Sequence, residues 1–124
     1  MLFRSAVWIG TAFLRCPEAM APDGHRDALR HADDASTIVT AVVSGKPARV
    51  IRNRLVDELE ALDDDPLPFP AQYSLTKPLE ASGKAALTQL YAGQAAALTT
   101  ELPATELVAK LASDTERCLR ALVE

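Results

Sequence analysis

The sequence predicts an α/β chain that is mostly helical and carries one short strand near its start. Residues 5–9, Ser-Ala-Val-Trp-Ile, are apolar and partly β-branched and stop at Gly10-Thr11. That is the pattern of a strand buried on both faces. Downstream, leucines recur at helical spacing in several segments. Apolar content is 48% but aromatic content only 5%, so the apolar mass is Ala, Leu and Val, which suits helices packed closely through small side chains. A doubly buried strand needs neighbours, and parallel neighbours need crossovers of about a dozen residues or more. Only four residues precede Ser5. The expectation is a portion of a larger parallel-sheet fold, with no closed sheet of its own.

Each later element follows from local signals. Residues 17–23 are rich in turn formers, and 25–32 read as a short helix. "STIVTAVVSG", residues 36–45, is β-rich and ends in Ser-Gly, which predicts a second extended segment. "KPARVIRNRLVDELEALDDD" places Ile51, Leu55, Leu59 and Leu62 on one stripe and predicts a helix over 50–62. Its charges run from basic (Arg49, Arg52, Arg54) to acidic (Asp57, Glu58, Glu60), opposite to what the helix dipole favours. Four positive charges between Lys46 and Arg54 therefore suggest ion pairs to another part of the fold.

Pro66, Pro68, Pro70 and Pro78 forbid a continuous helix before about Ala71. "KAALTQLYAGQAAALTTELP" reads as helix, with Leu87, Leu90, Tyr91, Gln94 and Leu98 on one side. Gly93 inside it would cost about 0.5–1 kcal/mol relative to Ala, so close packing against another element is expected there. Residues 104–121 form the last predicted helix, with Pro103 at its first turn and Leu107, Leu111, Cys118 and Leu122 facing inward.

A formal net charge of −4 gives no basis for wholesale binding to nucleic acid or an anionic membrane. Cys16 and Cys118 lie far apart without metal-ligand spacing, as expected of reduced thiols, and no metal site is indicated. Arg4, the apolar stretch and Ala19-Met20-Ala21 imitate a secretory signal. Gly10-Thr11 interrupts that stretch, and Arg15, Pro17 and Glu18 crowd its end, so a cytoplasmic location is expected. No window approaches the ~18 apolar residues of a membrane span.

Four stretches together carry a family resemblance: "AVWIGTAFLRCPEA", "SGKPARVIRNRLVDE", "PFPAQYSLTKPL" and "YAGQAAALTTELPATELVAKL". In this order they resemble the C-terminal motifs of the nitronate monooxygenases, once called 2-nitropropane dioxygenases. The resemblance implies an FMN-binding (β/α)8 TIM barrel with a mainly helical domain over its mouth. Residues 1–15 would be the last barrel strand and its FMN phosphate turn, 16–100 the substrate-covering domain, and 101–124 a helix returning to the barrel. In such barrels the cofactor phosphate sits by the loops after strands 7 and 8. The cofactor-binding residues implied are Trp8, Ile9, Gly10 and Thr11, although many relatives carry Gln at the position of Trp8.

The implied reaction oxidises alkyl nitronates with O2 to a carbonyl compound and nitrite. The family's base is a histidine on an earlier barrel strand. His25 and His31 match no family motif and are expected to be solvated surface residues, so no catalytic residue is assigned to this chain. As a fragment it is expected to bind FMN weakly or not at all and to lack turnover.

The residues themselves are compatible with that role. A phosphate needs converging N–H donors and no side chain in the way, which Gly10 permits, and Thr11 adds a hydroxyl. Taken alone, Gly-Thr after a strand is only a turn. Gln72, Tyr73, Lys77, Tyr91 and Gln94 offer polar groups that could reach a substrate cavity, and none receives a role. Two alternatives stand beside the main reading: a relative of the flavin-dependent enoyl-acyl-carrier-protein reductases, and a stand-alone helical binding module. "RNR" and P-x-Q-x-x-L-T favour the monooxygenase branch.

Overall fold

The computed structural model describes residues 7–122. Its centre is a β-hairpin. β1 (Thr37–Thr40) and β2 (Ala48–Ile51) pair antiparallel, with Thr37 opposite Ile51 and Thr40 opposite Ala48. The connecting turn closes when Gly45 N–H donates to Ala41 O at 2.7 Å. Gly45 has φ +84, and a Cβ there would strike the backbone of Leu67–Phe69, so only glycine fits.

The described residues also form four helices: α1 (Asp23–Arg30), α2 (Arg54–Glu60), α3 (Ala71–Glu80) and α4 (Ala104–Ala121). β2 divides the core because successive side chains of a strand point to opposite faces. Val50 joins Val43, Leu55 and Val56 in one buried cluster. Ile51 joins Leu29, Leu90, Ala92 and Ala96 in the other.

Two of the expected helices differ from what forms. The helix expected over 50–62 is only α2, because Val50 and Ile51 are consumed by the sheet. Asn53 then starts the helix: its Oδ1 accepts the Val56 N–H at 3.2 Å, an N-cap. Its Nδ2 donates to Ala85 O and Thr88 O at 3.0 and 2.8 Å. Ile51 and Leu55 are buried as expected, whereas Leu62 is exposed beyond the helix end.

Residues 84–103 do not form a helix. Only two short 3-10 turns occur, Ala85–Leu87 and Ala96–Leu98. Between them the chain lies along the open edge of β2. Ile51 N–H donates to Leu90 O at 2.8 Å, Ala92 N–H donates to Arg49 O at 3.2 Å, and Tyr91 bridges Val50. A free strand edge offers unpaired backbone groups, and these outcompete weak helix propensity around Gly93. β1, β2 and residues 90–92 thus belong to one small sheet, which the apolar spacing alone did not reveal.

The strand expected over 5–9 is also corrected. Ser5 and Ala6 lie outside the described residues, and Val7–Ile9 form no strand. Trp8 is 99% exposed and Val7 largely so. No barrel is present among the described residues, so no neighbouring strand pairs with or covers this segment.

α3 begins at Ala71, directly after the Pro68-Phe69-Pro70 stretch. It docks through polar groups. Buried Thr76 Oγ1 donates to Val43 O at 2.7 Å and accepts the Gln89 amide at 2.6 Å. Gln72 Nε2 donates to Val42 O at 2.6 Å.

α4 matches the expected bounds, and the Glu18 carboxylate accepts the Ala104 N–H at its start. Only its first turns are packed. Leu107 is buried and Leu111 half-buried, but Cys118 is exposed and Leu122 is 82% exposed. The inward stripe expected at its C-terminal end has nothing to pack on among the described residues.

Asn53→Ala removes the helix cap and strands two carbonyls, so it should lower unfolding free energy by about 1–2 kcal/mol or more. Leu122→Ser, on the exposed end of α4, should stay within about 0.5 kcal/mol of the parent. Urea titration followed by circular dichroism measures both.

Candidate functional site

Gly10 ends the Val7–Ile9 segment and a 3-10 turn, Thr11–Arg15, follows at once, closed by Phe13 N–H to Gly10 O at 3.0 Å. The first N–H groups of any helical turn lack internal partners. Among the described residues, the N–H groups of Thr11 and Ala12 have no acceptor. Gly10 adopts φ −106, ψ −52, a conformation open to any residue, and nothing lies within 4 Å of where its Cβ would stand. The chain's own packing therefore gives no reason for glycine here.

Across 82 positions of sequence, Gly93 N–H donates to Thr11 Oγ1 at 2.8 Å. This bond joins two motifs that the sequence presents separately, Trp8-Ile9-Gly10-Thr11 and Ala92-Gly93-Gln94. Gly93 lies outside any helix, so the helical penalty expected for it does not apply. A Cβ on Gly93 would come within 3.4 Å of Thr11 Oγ1, so the close approach is what its small size permits.

Between the two motifs is a cleft of about 420 Å³, within the size range of small-ligand sites. Trp8–Ala12 form one wall and Gly93–Ala95 with Leu98–Thr100 the other. Leu107, Lys110 and Leu111 of α4 close one side. All four residues expected to bind a cofactor line it, and Gln94 joins them. Lys110 Nζ is engaged with Asp114 at 2.8 Å.

The other polar candidates separate from this cleft. Gln72 is a structural clamp, donating to Val42 O and accepting the Leu67 N–H. Tyr73 lies beside Phe69, with ring centres 6.3 Å apart, and Lys77 Nζ is 5.5 Å from the Tyr73 ring centre. Tyr91 OH donates to Gln89 Oε1 at 2.7 Å and borders a second cavity with His25, Lys77 and Glu80.

The basic stretch finds its partners locally. Arg52 pairs with Asp57 at 2.6 Å and Glu60 at 3.6 Å, and Arg54 pairs with Glu58 at 2.6 Å. Arg49 donates to Thr37 Oγ1, and Lys46 lies over the Phe69 ring. Arg52 and Arg54 thus find acidic partners within the same segment.

Sequence reasoning missed a cluster beside the cleft in which Arg15, Arg26 and Arg30 converge on Glu101. The Arg30 hydrogen bond and charge hold the Glu101 carboxyl below its ordinary range. Glu101 lies 71 positions beyond Arg30, so only the fold assembles the cluster. Arg15 carried one local hint, standing four residues after Thr11.

A family model for nitronate monooxygenase matches residues 4–114. Over 115 residues the chain is 41% identical to a nitronate monooxygenase of Pseudomonas aeruginosa. The chain belongs to the nitronate monooxygenase family. That Pseudomonas match covers 89% of this chain and 33% of the relative. A nitronate monooxygenase of Paraburkholderia phytofirmans is 35% identical over 122 residues, covering 94% of this chain and 33% of that protein. The chain therefore spans about a third of the length of these relatives.

Among solved structures, nitroalkane oxidase from Streptomyces ansochromogenes superposes with a TM-score of 0.79 at 37% identity, over 92% of this chain and 33% of that one. FabK from Thermotoga maritima superposes at 0.73 with 21% identity, over 91% of this chain and 37% of its own, a likeness of fold alone. The family is one of oxidoreductases. Among the described residues no helix is long and apolar enough to cross a membrane, and no group of three or more His, Cys, Asp or Glu could hold a metal ion.

Both histidines of this family member are engaged with backbone. His31 is exposed and its Nδ1 lies 2.9 Å from Asp27 O. His25 departs from the expected solvated residue: it is half-buried, and its Nε2 lies 3.0 Å from Tyr91 O. Burial lowers its pKa, and the Tyr91 carbonyl opposes that in part. A histidine depressed in the folded state favours the neutral form, so its stabilising contribution is present above the unfolded value of about 6.5 and is lost as pH falls through the folded value. Stability should therefore decline from pH 7 towards pH 5, and His25→Gln should flatten that decline. Urea midpoints at several pH values measure it, and carboxylates such as Glu101 act in a separate window at lower pH.

Proposed function

We propose that this chain works as the C-terminal part of a flavin-dependent nitronate monooxygenase, with the cleft at Gly10-Thr11 receiving the FMN phosphate. The observation that carries the reading is the Thr11–Gly93 hydrogen bond, which assembles two family-like motifs around one cleft. On this reading the rest of the (β/α)8 barrel covers Trp8, Leu98 and the exposed length of α4, all of them solvent-facing here.

The residues present fit a phosphate. Thr11 and Ala12 offer N–H groups with no acceptor among the described residues. Thr11 Oγ1 already accepts one hydrogen bond, which leaves its own proton to donate into the cleft. The open space beside Gly10 lets the backbone approach an anion without a side chain between them. Bound flavin would supply the redox chemistry by which an alkyl nitronate and O2 become a carbonyl compound and nitrite. This chain's part is binding and orientation. Trp8–Thr11 hold the phosphate, and the Gly93–Thr99 wall limits water at the cleft. Proton transfer from or to substrate is assigned to the barrel, because His25 and His31 are turned to the backbone carbonyls of Tyr91 and Asp27.

Gly10→Val tests the reading cleanly, since neither the backbone conformation nor the local packing resists a side chain there. In the protein together with its barrel portion, the dissociation constant for FMN should rise at least about tenfold while the melting temperature stays put. Flavin fluorescence quenching gives the first quantity, and oxygen uptake with propyl-2-nitronate follows turnover. An unchanged flavin affinity would leave Gly10 a turn residue only.

A further inference from the structure

Arg15 closes the 3-10 turn that opens at Thr11, and its side chain is only 13% exposed. Holding a guanidinium this far from water costs desolvation free energy that specific contacts must offset. Its Nη1 donates to Thr99 O at 2.7 Å, and its Nη2 lies 3.6 Å from Glu101 Oε2. Glu101 is held in place by Arg30 at 3.0 Å and Arg26 at 3.7 Å. Arg26 Nη2 in turn reaches the Arg15 carbonyl at 3.4 Å.

Two contacts therefore cross between the same two segments. Thr11 to Gly93 ties one end and Arg15 to Thr99 ties the other. The regular structure between Gly93 and Thr99 is one three-residue 3-10 turn, too short to fix its own placement. Ala96 anchors the middle of that wall in the core, and the two polar ties hold its ends against the Thr11 turn. For the second tie, a planar fork that serves a carbonyl and a carboxylate together suits the task better than an ammonium.

We propose that Arg15, braced by Glu101, is a positioning residue of the cleft: it sets the spacing between the Thr11 turn and the Gly93–Thr99 wall that a cofactor phosphate requires. The proposal rests on the reading of this cleft as the FMN phosphate site. The test compares Arg15→Gln, Arg15→Lys and Arg30→Gln in the protein together with its barrel portion, the last removing a Glu101 partner that does not touch Thr99. Exchange of the Gly93 amide with water, read by NMR, reports the Thr11 contact. The Ile51 amide, bonded to Leu90 O, reports the hairpin core. FMN dissociation constants are measured alongside.

Arg15→Gln should speed Gly93 exchange about tenfold and weaken FMN binding about tenfold, with Ile51 exchange unchanged. Arg15→Lys should fall between, and Arg30→Gln, which loosens the Glu101 brace but leaves the Thr99 contact, should give a smaller change than Arg15→Gln. Unaltered Gly93 exchange in Arg15→Gln overturns the proposal, and so does an equal rise at Ile51, which would mean general loosening. If the parent protein with its barrel portion binds no FMN, the flavin reading fails, and the Gly93 amide alone decides the role of Arg15. A selective rise there supports the positioning role and its absence overturns it.

Discussion

Val50 and Ile51 are neighbours in β2, and each is buried in a different apolar cluster. That opposition is the constraint on which the remainder depends. It requires β2 to be a strand, because only a two-residue period sends adjacent side chains to opposite faces. It also fixes register, since a slip by one residue would exchange the two clusters. With β2 so placed, β1 takes one edge and residues 90–92 take the other. α2 must begin just beyond the strand, and Asn53 both caps it and fastens residues 85–88 beside it.

The cleft is a consequence of the same arrangement. Once Leu90 and Ala92 are bonded to β2, Gly93 emerges from the sheet edge where its N–H can meet Thr11. The turn after Gly10 is thus not located by its own few residues. It is located by a hairpin whose nearest strand begins 26 residues later, through a segment that follows β2 by some forty residues. The Arg15–Glu101 cluster adds a second fixed point, and α1 contributes to it through Arg26 and Arg30.

Large apolar residues are exposed at the cleft and along α4. Trp8, Leu98, Val108, Leu119 and Leu122 all face solvent. Scattered single leucines are ordinary, but a bare tryptophan beside a lone helix face marks a surface for further protein. The relatives are about three times as long as this chain, and the proposed barrel would supply that cover. The same fact explains why residues with strand-like composition form no strand: Val7–Ile9 have apolar side chains and no neighbour to pair with.

By itself, the sequence determined the family, through four short motifs in order, and the elements whose signals are local. α4 lies where Pro103 and its leucine spacing put it, α3 begins where the prolines end, and α1 falls within two residues of its expected start. Only the tertiary structure decided between helix and strand for residues 48–51 and 88–92. Their apolar spacing fits either period, and the deciding hydrogen bonds run to partners distant in sequence. The cleft divides in the same way. Trp8, Ile9, Gly10 and Thr11 were legible as a motif, while Gly93 became the partner of Thr11, and Thr99 and Glu101 those of Arg15, only through contacts across more than eighty positions, which no local pattern encodes.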